Sequence, residues 1–157
     1  MRKTEIPVKD PLLFPVPTVL VSCRDAGGRD NIITLAWAGV ASSQPPTLAL
    51  GIRPGRFSYP MIRETGEFVV NIPGTEILEA VDRCGTVSGK NVDKFEAFGL
   101  SRQEASAVRA PLIAECPLNL ECILKQVIPL GSHDLFIGEI VRAHVSEECV
   151  GPDGRIM

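Results

Sequence analysis

Two arginines and two hydroxyl side chains stand close together at the end of an apolar run, in the stretch ALGIRPGRFSYP. Arg53 and Arg56 supply guanidinium groups, which bind phosphates and carboxylates through paired hydrogen bonds. Ser58 is placed to cap a following helix, and the N–H groups at a helix N-terminus also attract anions. With Tyr59 as a further donor, the stretch predicts a phosphate site. A solvated arginine pair beside an ordinary helix cap is the alternative.

Small residues on two neighbouring predicted strands indicate room for a flat ligand. Thr34 and Ala36 share one face of the first strand, and the next strand carries Ala49 and Gly51. A planar molecule could lie against the backbone there and be recognised by N–H and C=O groups at its edge. Close packing of a helix is the alternative. Trp37 lies on the opposite face of its strand, as a core or interface anchor or as a residue that stacks on a ligand.

A third polar group lies in CGTVSGKNVDKF, a stretch that contains two glycines. Its candidate ligand-binding residues are Ser88, Lys90, Asn91 and Lys94. Hydroxyl, amide and ammonium donors of this kind can hold a phosphate or the carbonyl edge of a pyrimidine-like ring. Solvated surface lysines are the alternative.

Alternating apolar residues predict the strands that must position these groups. The predicted strands cover residues 17–23, 31–43, 47–53 and 67–73, followed by LNLECILKQVI and LFIGEIVRAHV joined by PLGSHD. Short helices are predicted after Ser58, after Thr75 and in VDKFEAF, with ends at Gly66, Gly85 and Gly99. The pattern predicts a mainly β fold, an antiparallel β-barrel with inserted short helices, because closure of the sheet removes exposed edges.

Composition limits the classes of protein that fit. The 157 residues suit one domain over 1–157, and the net charge of −3 argues against nucleic-acid binding. No secretory signal is recognised, and no apolar run reaches the roughly 18–20 residues that a membrane span needs, so we expect a cytoplasmic protein. Five cysteines without a C-x-x-C motif predict buried thiols and no metal site. A redox-active thiol at Cys84 is the alternative.

Together these stretches resemble the flavin reductase-like family, which includes flavoredoxin and the small reductase components of two-component monooxygenases. The resemblance rests on NIITLAWAGVASSQPPTLALGIRPGRFSYPMIRETGEFVVNIP, CGTVSGKNVDKFEAFGL, APLIAECPLNLECIL and GSHDLFIGEI, in this order. It implies a six-stranded antiparallel FMN-binding split barrel of Greek-key type. It also implies a homodimer with FMN near the interface, and a closing C-terminal segment beyond the GPDGRI stretch.

The resemblance assigns roles to individual residues. It implies that the flavin ring is lined by Asn31, Thr34, Ala36 and Trp37, with polar contacts from Ser42 and Ser43. It implies that the phosphate is held by Arg53, Arg56 and Ser58, with added charge from Lys94. His133 stands in GSHD where the family has GDH, and it either faces the nicotinamide side of the flavin or ties down the hairpin.

The resemblance implies an NAD(P)H-dependent flavin oxidoreductase. A single phosphate cluster favours FMN over FAD, and the absence of G-x-G-x-x-G implies that NAD(P)H binds transiently beside the flavin. The electron acceptor would be free flavin, a ferric complex, a monooxygenase or another redox protein. One alternative is a non-enzymatic FMN-binding electron-transfer or flavin-storage protein. Others are a haem-binding barrel that uses His133 and His144, and a barrel without a cofactor.

Overall fold

The computed structural model describes residues 1–157 and is built around one antiparallel sheet. Its strands are β1 (Val19–Arg24), β2 (Asp30–Leu35), β3 (Ala38–Ser43), β4 (Pro46–Ile52), β5 (Glu67–Ile72), β6 (Arg102–Gln103), β7 (Leu112–Ile113), β8 (Leu118–Pro129) and β9 (Asp134–Val145). Its helices are α1 (Ser58–Thr65), α2 (Leu78–Thr86) and α3 (Lys94–Ala97), with 3₁₀ turns at Thr75–Ile77 and Glu147–Cys149. None of these helices combines the length and the apolar character that a membrane-spanning helix needs.

The sheet has seven strands in the order β2-β1-β5-β8-β9-β4-β3, so the expected count of six is wrong by one. The difference arises because the single strand predicted over 31–43 is broken at Ala36 and Trp37. Leu35 still pairs with β1, whereas Ala38 already pairs with β4. Two consecutive strands therefore occupy the two opposite edges of a curled sheet. This is the split-barrel arrangement, and the bend between β2 and β3 lies where the barrel is open.

Two apolar cores explain why β1 is buried on both faces. Val19, Val21 and Cys23 point into the barrel, where they belong to a cluster of 15 buried residues that also includes side chains of α1. Leu20 points outward into a second cluster of nine residues, formed with α2 and α3. Alternate residues of a strand lie on opposite faces, so one strand contributes to both cores. This packing holds α2 against β2.

The ends of the helices differ in part from the prediction. Gly66 ends α1 in the left-handed conformation, with φ 71°, as predicted. The predicted cap at Ser58 is wrong, because Ser58 is the first helical residue and Phe57 precedes it without a side-chain cap bond. The second predicted helix also differs: Thr75 begins a 3₁₀ turn, and α2 continues through Gly85 to Thr86.

Candidate functional site

A groove of about 250 Å³ opens at the bend between β2 and β3, and we call it the central groove. Its lining residues are Ile33, Thr34, Leu35, Ala36, Trp37, Gly51, Arg53, Arg56, Gly85 and His133. Seven of these are residues that the sequence singled out for a ligand site, and they come from three separate parts of the chain. Because the strand breaks at Ala36, Trp37 lines the same groove as Thr34 and Ala36, although simple alternation places it on the opposite face.

Trp37, His133 and Arg53 form one wall of the central groove. The Trp37 and His133 rings lie with centroids 4.1 Å apart and planes tilted by 42°. Arg53 Nε donates to His133 Nε2 at 3.3 Å, so Nε2 is the unprotonated ring nitrogen. Nδ1 therefore carries the proton, and it faces Ser132 Oγ at 2.9 Å. Burial lowers the pKa of His133, and the charges of Arg53 and Arg56 lower it further, so its neutral form is favoured.

A second hollow of about 220 Å³, the loop pocket, continues from the central groove. The two hollows share Ile33, Arg56 and Gly85. The predicted site residues that line the loop pocket are Asn31, Arg56, Ser58, Ser88 and Lys94. Strand β2, helix α1 and the loop after α2 thus bring together residues that lie far apart in the sequence.

Asn31 is the most informative side chain of the loop pocket. It is 2% exposed, and its Nδ2 donates to Ser58 Oγ at 2.7 Å. Its Oδ1 has no hydrogen-bond partner in the chain. A methyl group on Gly89 would overlap this oxygen, so a larger residue at that position would displace the Asn31 side chain or the loop. A buried acceptor without a donor is costly, and a ligand hydroxyl or N–H group would satisfy it.

The two cations of the loop pocket differ in their hydrogen bonds. Lys94 is 3% exposed, and its Nζ donates to the carbonyls of Ile32 at 2.7 Å and Cys84 at 2.6 Å. Burial lowers the pKa of Lys94, and the Arg56 charge lowers it further. The Arg56 guanidinium makes no hydrogen bond or ion pair within the chain. Lys94 therefore joins β2 to α2, while Arg56 is free to bind an anion.

Arg29 positions the loop that lines the loop pocket, a role that the sequence pattern does not indicate. Its Nη2 donates to the carbonyls of Gly89 at 2.5 Å and Lys90 at 2.9 Å. Its guanidinium also lies 4.8 Å from the centre of the Phe57 ring. Arg29 thus fixes the loop after α2 against the start of α1. The partners lie 60 residues apart, and nothing in the local pattern around Arg29 indicates the contact.

Several expected site residues lie outside both pockets. Ser42 and Ser43 are at the end of β3, where they pair with β4. Lys90 and Asn91 are exposed on the loop, and Lys90 makes hydrogen bonds only through its backbone: its carbonyl accepts from Arg29, and its N–H donates to Ser88 Oγ at 3.3 Å. Tyr59 is buried in the barrel and donates to Asp134 Oδ2 at 2.5 Å, so the expectation that it adds a donor to the site is wrong.

All five cysteines are free thiols, as predicted from their odd number and the lack of a C-x-x-C motif. Four of them are buried, and Cys149 is partly exposed. The alternative of a redox-active Cys84 is contradicted, because its side chain is in the second core. Burial raises the pKa of the Cys84 thiol to about 11, although the Lys94 charge lowers it in part. His144 contacts Glu121 at the far end of β9, apart from His133. The two histidines therefore do not face a common site.

The donor set of the two pockets fits a flavin mononucleotide. In the loop pocket, Arg56 and the hydroxyls of Ser58 and Ser88 are able to donate to a phosphate, and the N–H groups of Phe57 and Ser58 have no acceptor in the chain. The unpartnered Asn31 Oδ1 is able to accept from a hydroxyl, a group that the ribityl chain of FMN carries. The central groove offers small residues and an aromatic wall, which suit a planar ring.

Comparison with known proteins gives one family. Residues 12–153 match the model of the flavin reductase like domain. An uncharacterized protein of Archaeoglobus fulgidus is 36% identical over 143 residues, which are 91% of this chain and 78% of that protein. The flavoredoxin of Desulfovibrio vulgaris (Miyazaki F) superimposes with a TM-score of 0.91 at 36% identity, over 100% of this chain and 83% of that one. The flavoredoxin from Methanosarcina acetivorans gives 0.88 at 29% identity, over 100% and 82%.

Proposed function

The chain belongs to the flavin reductase-like family, and on this premise we propose that it is an FMN-binding oxidoreductase that takes electrons from NADH or NADPH. The observation that carries the proposal is the loop pocket, where the free guanidinium of Arg56 and the unpartnered oxygen of Asn31 adjoin the central groove. These groups match the phosphate and the hydroxylated chain of FMN. The single cationic hollow favours FMN over FAD, which carries a second phosphate and an adenosine.

Bound FMN would supply the hydride and electron chemistry, and the residues of this chain bind and orient it. Arg56, Ser58 and Ser88 hold the phosphate, and Asn31 accepts from the ribityl chain. Thr34, Ala36 and Trp37 line the ring. Arg53 lies in the central groove beside His133 and not in the loop pocket, so its charge acts near the ring. A guanidinium there favours negative charge on the ring.

Two other participants, an electron donor and an electron acceptor, complete the reaction. The donor is a nicotinamide nucleotide that binds transiently, and the acceptor is a free flavin, a ferric complex, a monooxygenase or another redox protein. His133 forms a wall of the central groove together with Trp37. It therefore either faces the nicotinamide donor or holds in place the β8–β9 hairpin to which His133 belongs.

We also propose that the protein acts as a homodimer. Large apolar side chains stand exposed on β3, between β8 and β9 and in the segment before β1, with Val40 at 82%, Leu130 at 65% and Phe14 at 78%. Exposed apolar groups of this kind are common at interfaces between subunits. Sedimentation equilibrium tests the proposal: we expect twice the mass of the 16.9 kDa chain. A monomer at all accessible concentrations would contradict it.

Anaerobic visible absorbance tests the function. The protein is incubated with FMN, desalted and mixed with NADH or NADPH. We expect a retained flavin spectrum that bleaches promptly with one of the nucleotides. A retained spectrum that bleaches only with dithionite would instead favour an electron-transfer or flavin-storage protein. A protein that neither retains FMN after desalting nor binds FMN in a titration would contradict the proposed flavin site.

A further inference from the structure

A third hollow, which we call the helix pocket, adjoins the central groove on the side of α2 and has a volume of about 640 Å³. It shares Thr34, Ala36 and Gly85 with the central groove. These residues line the part of the groove in which the proposed function places the flavin ring. A small molecule in the helix pocket would therefore lie beside that ring.

One face of α2 forms the outer wall of the helix pocket. Leu78, Asp82 and Thr86 follow each other at intervals of four residues, which places them on the same face. The helix is held tightly against β2, because Thr34 Oγ1 donates to the Val81 carbonyl at 2.5 Å. A β-carbon on Gly85 would lie only 3.2 Å from the β-carbon of Thr34. The distance between the α2 face and the central groove is thus fixed by direct contact.

The charge of the helix pocket is opposite to that of the loop pocket. Asp82 is the one ionisable side chain that lines it, and its carboxylate makes no ion pair or hydrogen bond within the chain. The neighbouring cation is directed elsewhere: Arg83 pairs with Glu79 at 3.6 Å, and it lies 4.9 Å from the centre of the Phe98 ring. No cation of the lining neutralises the Asp82 carboxylate.

The sign of this charge distinguishes an electron donor from an electron acceptor. A dihydronicotinamide ring is neutral before it reacts, and it becomes a pyridinium cation when it loses a hydride. An acceptor gains electrons and becomes more negative. A nearby carboxylate favours a group that becomes positive and disfavours one that becomes negative. The helix pocket therefore suits the donor ring.

We propose that the helix pocket receives the dihydropyridine ring of the nicotinamide donor and that Asp82 favours its oxidation. The C4–H bond of the donor breaks, and the hydrogen leaves with both bonding electrons for the oxidised flavin, which is reduced. The donor ring becomes a pyridinium, whose positive charge faces the Asp82 carboxylate. This inference rests on the proposed function, since it needs a flavin in the central groove.

The test uses FMN-loaded protein, with FMN retention after desalting measured first. Binding of the cation 1-methylnicotinamide and of neutral nicotinamide is then followed by equilibrium dialysis at one ionic strength. The proteins are wild type, Asp82→Asn and the control Glu79→Gln, which removes the same charge from the same helix outside the pocket. We expect wild type to prefer the cation and Asp82→Asn to lose about threefold to fivefold of that preference, the range of an exposed charge pair. Glu79→Gln should keep it.

A kinetic measurement on the same proteins gives a second readout. In anaerobic stopped-flow reduction, Asp82→Asn should lower the limiting rate of flavin bleaching by a similar factor while the half-saturating donor concentration stays nearly constant, because the charge develops only during the reaction. An unchanged preference for the cation in Asp82→Asn, an equal loss in Glu79→Gln, or no preference in wild type would overturn the inference while FMN remains bound. Loss of FMN binding in wild type would overturn the proposed function as well.

Discussion

In the loop pocket the Arg56 guanidinium has no partner within the chain, whereas the Lys94 ammonium donates to two backbone carbonyls. Two side chains with the same formal charge thus have different roles. A cation already satisfied by carbonyls holds the protein together, while a free guanidinium is available to a ligand. The sequence placed Arg56 and Lys94 together as phosphate ligands, because residue type alone does not reveal which hydrogen bonds a side chain makes.

Arg56→Ala is expected to weaken FMN binding by about 1.5–3 kcal/mol, or roughly one to two decades in Kd, through the loss of a charge-assisted contact to phosphate. Titration of the apoprotein, followed by quenching of flavin fluorescence, measures the effect. Arg142→Ala is the matched control, because Arg142 is exposed on β9 and lines neither pocket. Equal Kd values for wild type and Arg56→Ala would remove Arg56 from the phosphate site.

At the scale of elements, the loop between α2 and α3 is shaped by its close approach to β2. Gly89 lies directly over the Asn31 side chain, and Arg29 holds the Gly89 carbonyl. Gly89→Ala would force Asn31 or the loop to move, so we expect FMN affinity to fall by about tenfold or more with the secondary structure retained. Gly39→Ala on β3 is the control, because a methyl group there meets no atom within 4 Å. An FMN affinity that is unaffected by Gly89→Ala would contradict the close approach.

A buried carboxylate on β8 holds another loop to the sheet. Glu121 is fully buried and accepts hydrogen bonds from the N–H groups of Ser106, Ala107 and Val108 and from the His144 ring. Burial alone would raise the pKa of Glu121, but these four donors bring it below its usual value. A carboxyl whose pKa is lower in the folded state stabilises the fold above its unfolded pKa, and this stabilisation is lost as pH falls through the folded value.

Glu121→Gln should therefore lower the free energy of unfolding by about 2–3 kcal/mol at neutral pH, because an amide cannot accept all of these bonds. The difference from wild type should shrink as pH falls through and below the ordinary carboxyl range. Urea unfolding at neutral and acid pH measures it, with Glu64→Gln on the exposed face of α1 as the control. A difference that stays constant with pH would show that the ionised carboxylate is not what stabilises the loop.

At the scale of the whole molecule, the antiparallel barrel and most of its strands could be predicted from the alternation of apolar residues. The break at Ala36 and Trp37 could not, because NIITLAWAGVASS continues to alternate through the bend. The break depends on pairing with two different partners, β1 and β4, that only the complete sheet provides. It also determines that Trp37 lines the central groove.

The candidate site was predicted in outline from the arginine stretch and from the family resemblance. The contacts that define it could not be predicted, since they join distant parts of the chain: Asn31 with Ser58, Arg29 with Gly89, and Arg53 with His133. The Asn31–Ser58 bond also explains the failed cap prediction, because the Ser58 hydroxyl serves the pocket and not the helix. Local propensity cannot reveal such a competition.

The measurement that tests the central claim most directly compares the affinities of the wild-type protein for FMN and riboflavin, which differ by the phosphate alone. If the loop pocket is a phosphate site, FMN should bind at least about one to two decades more tightly than riboflavin, and the difference should decrease as salt is added. Equal affinities for the two flavins would contradict the assignment of the loop pocket and, with it, the orientation of the cofactor in the central groove.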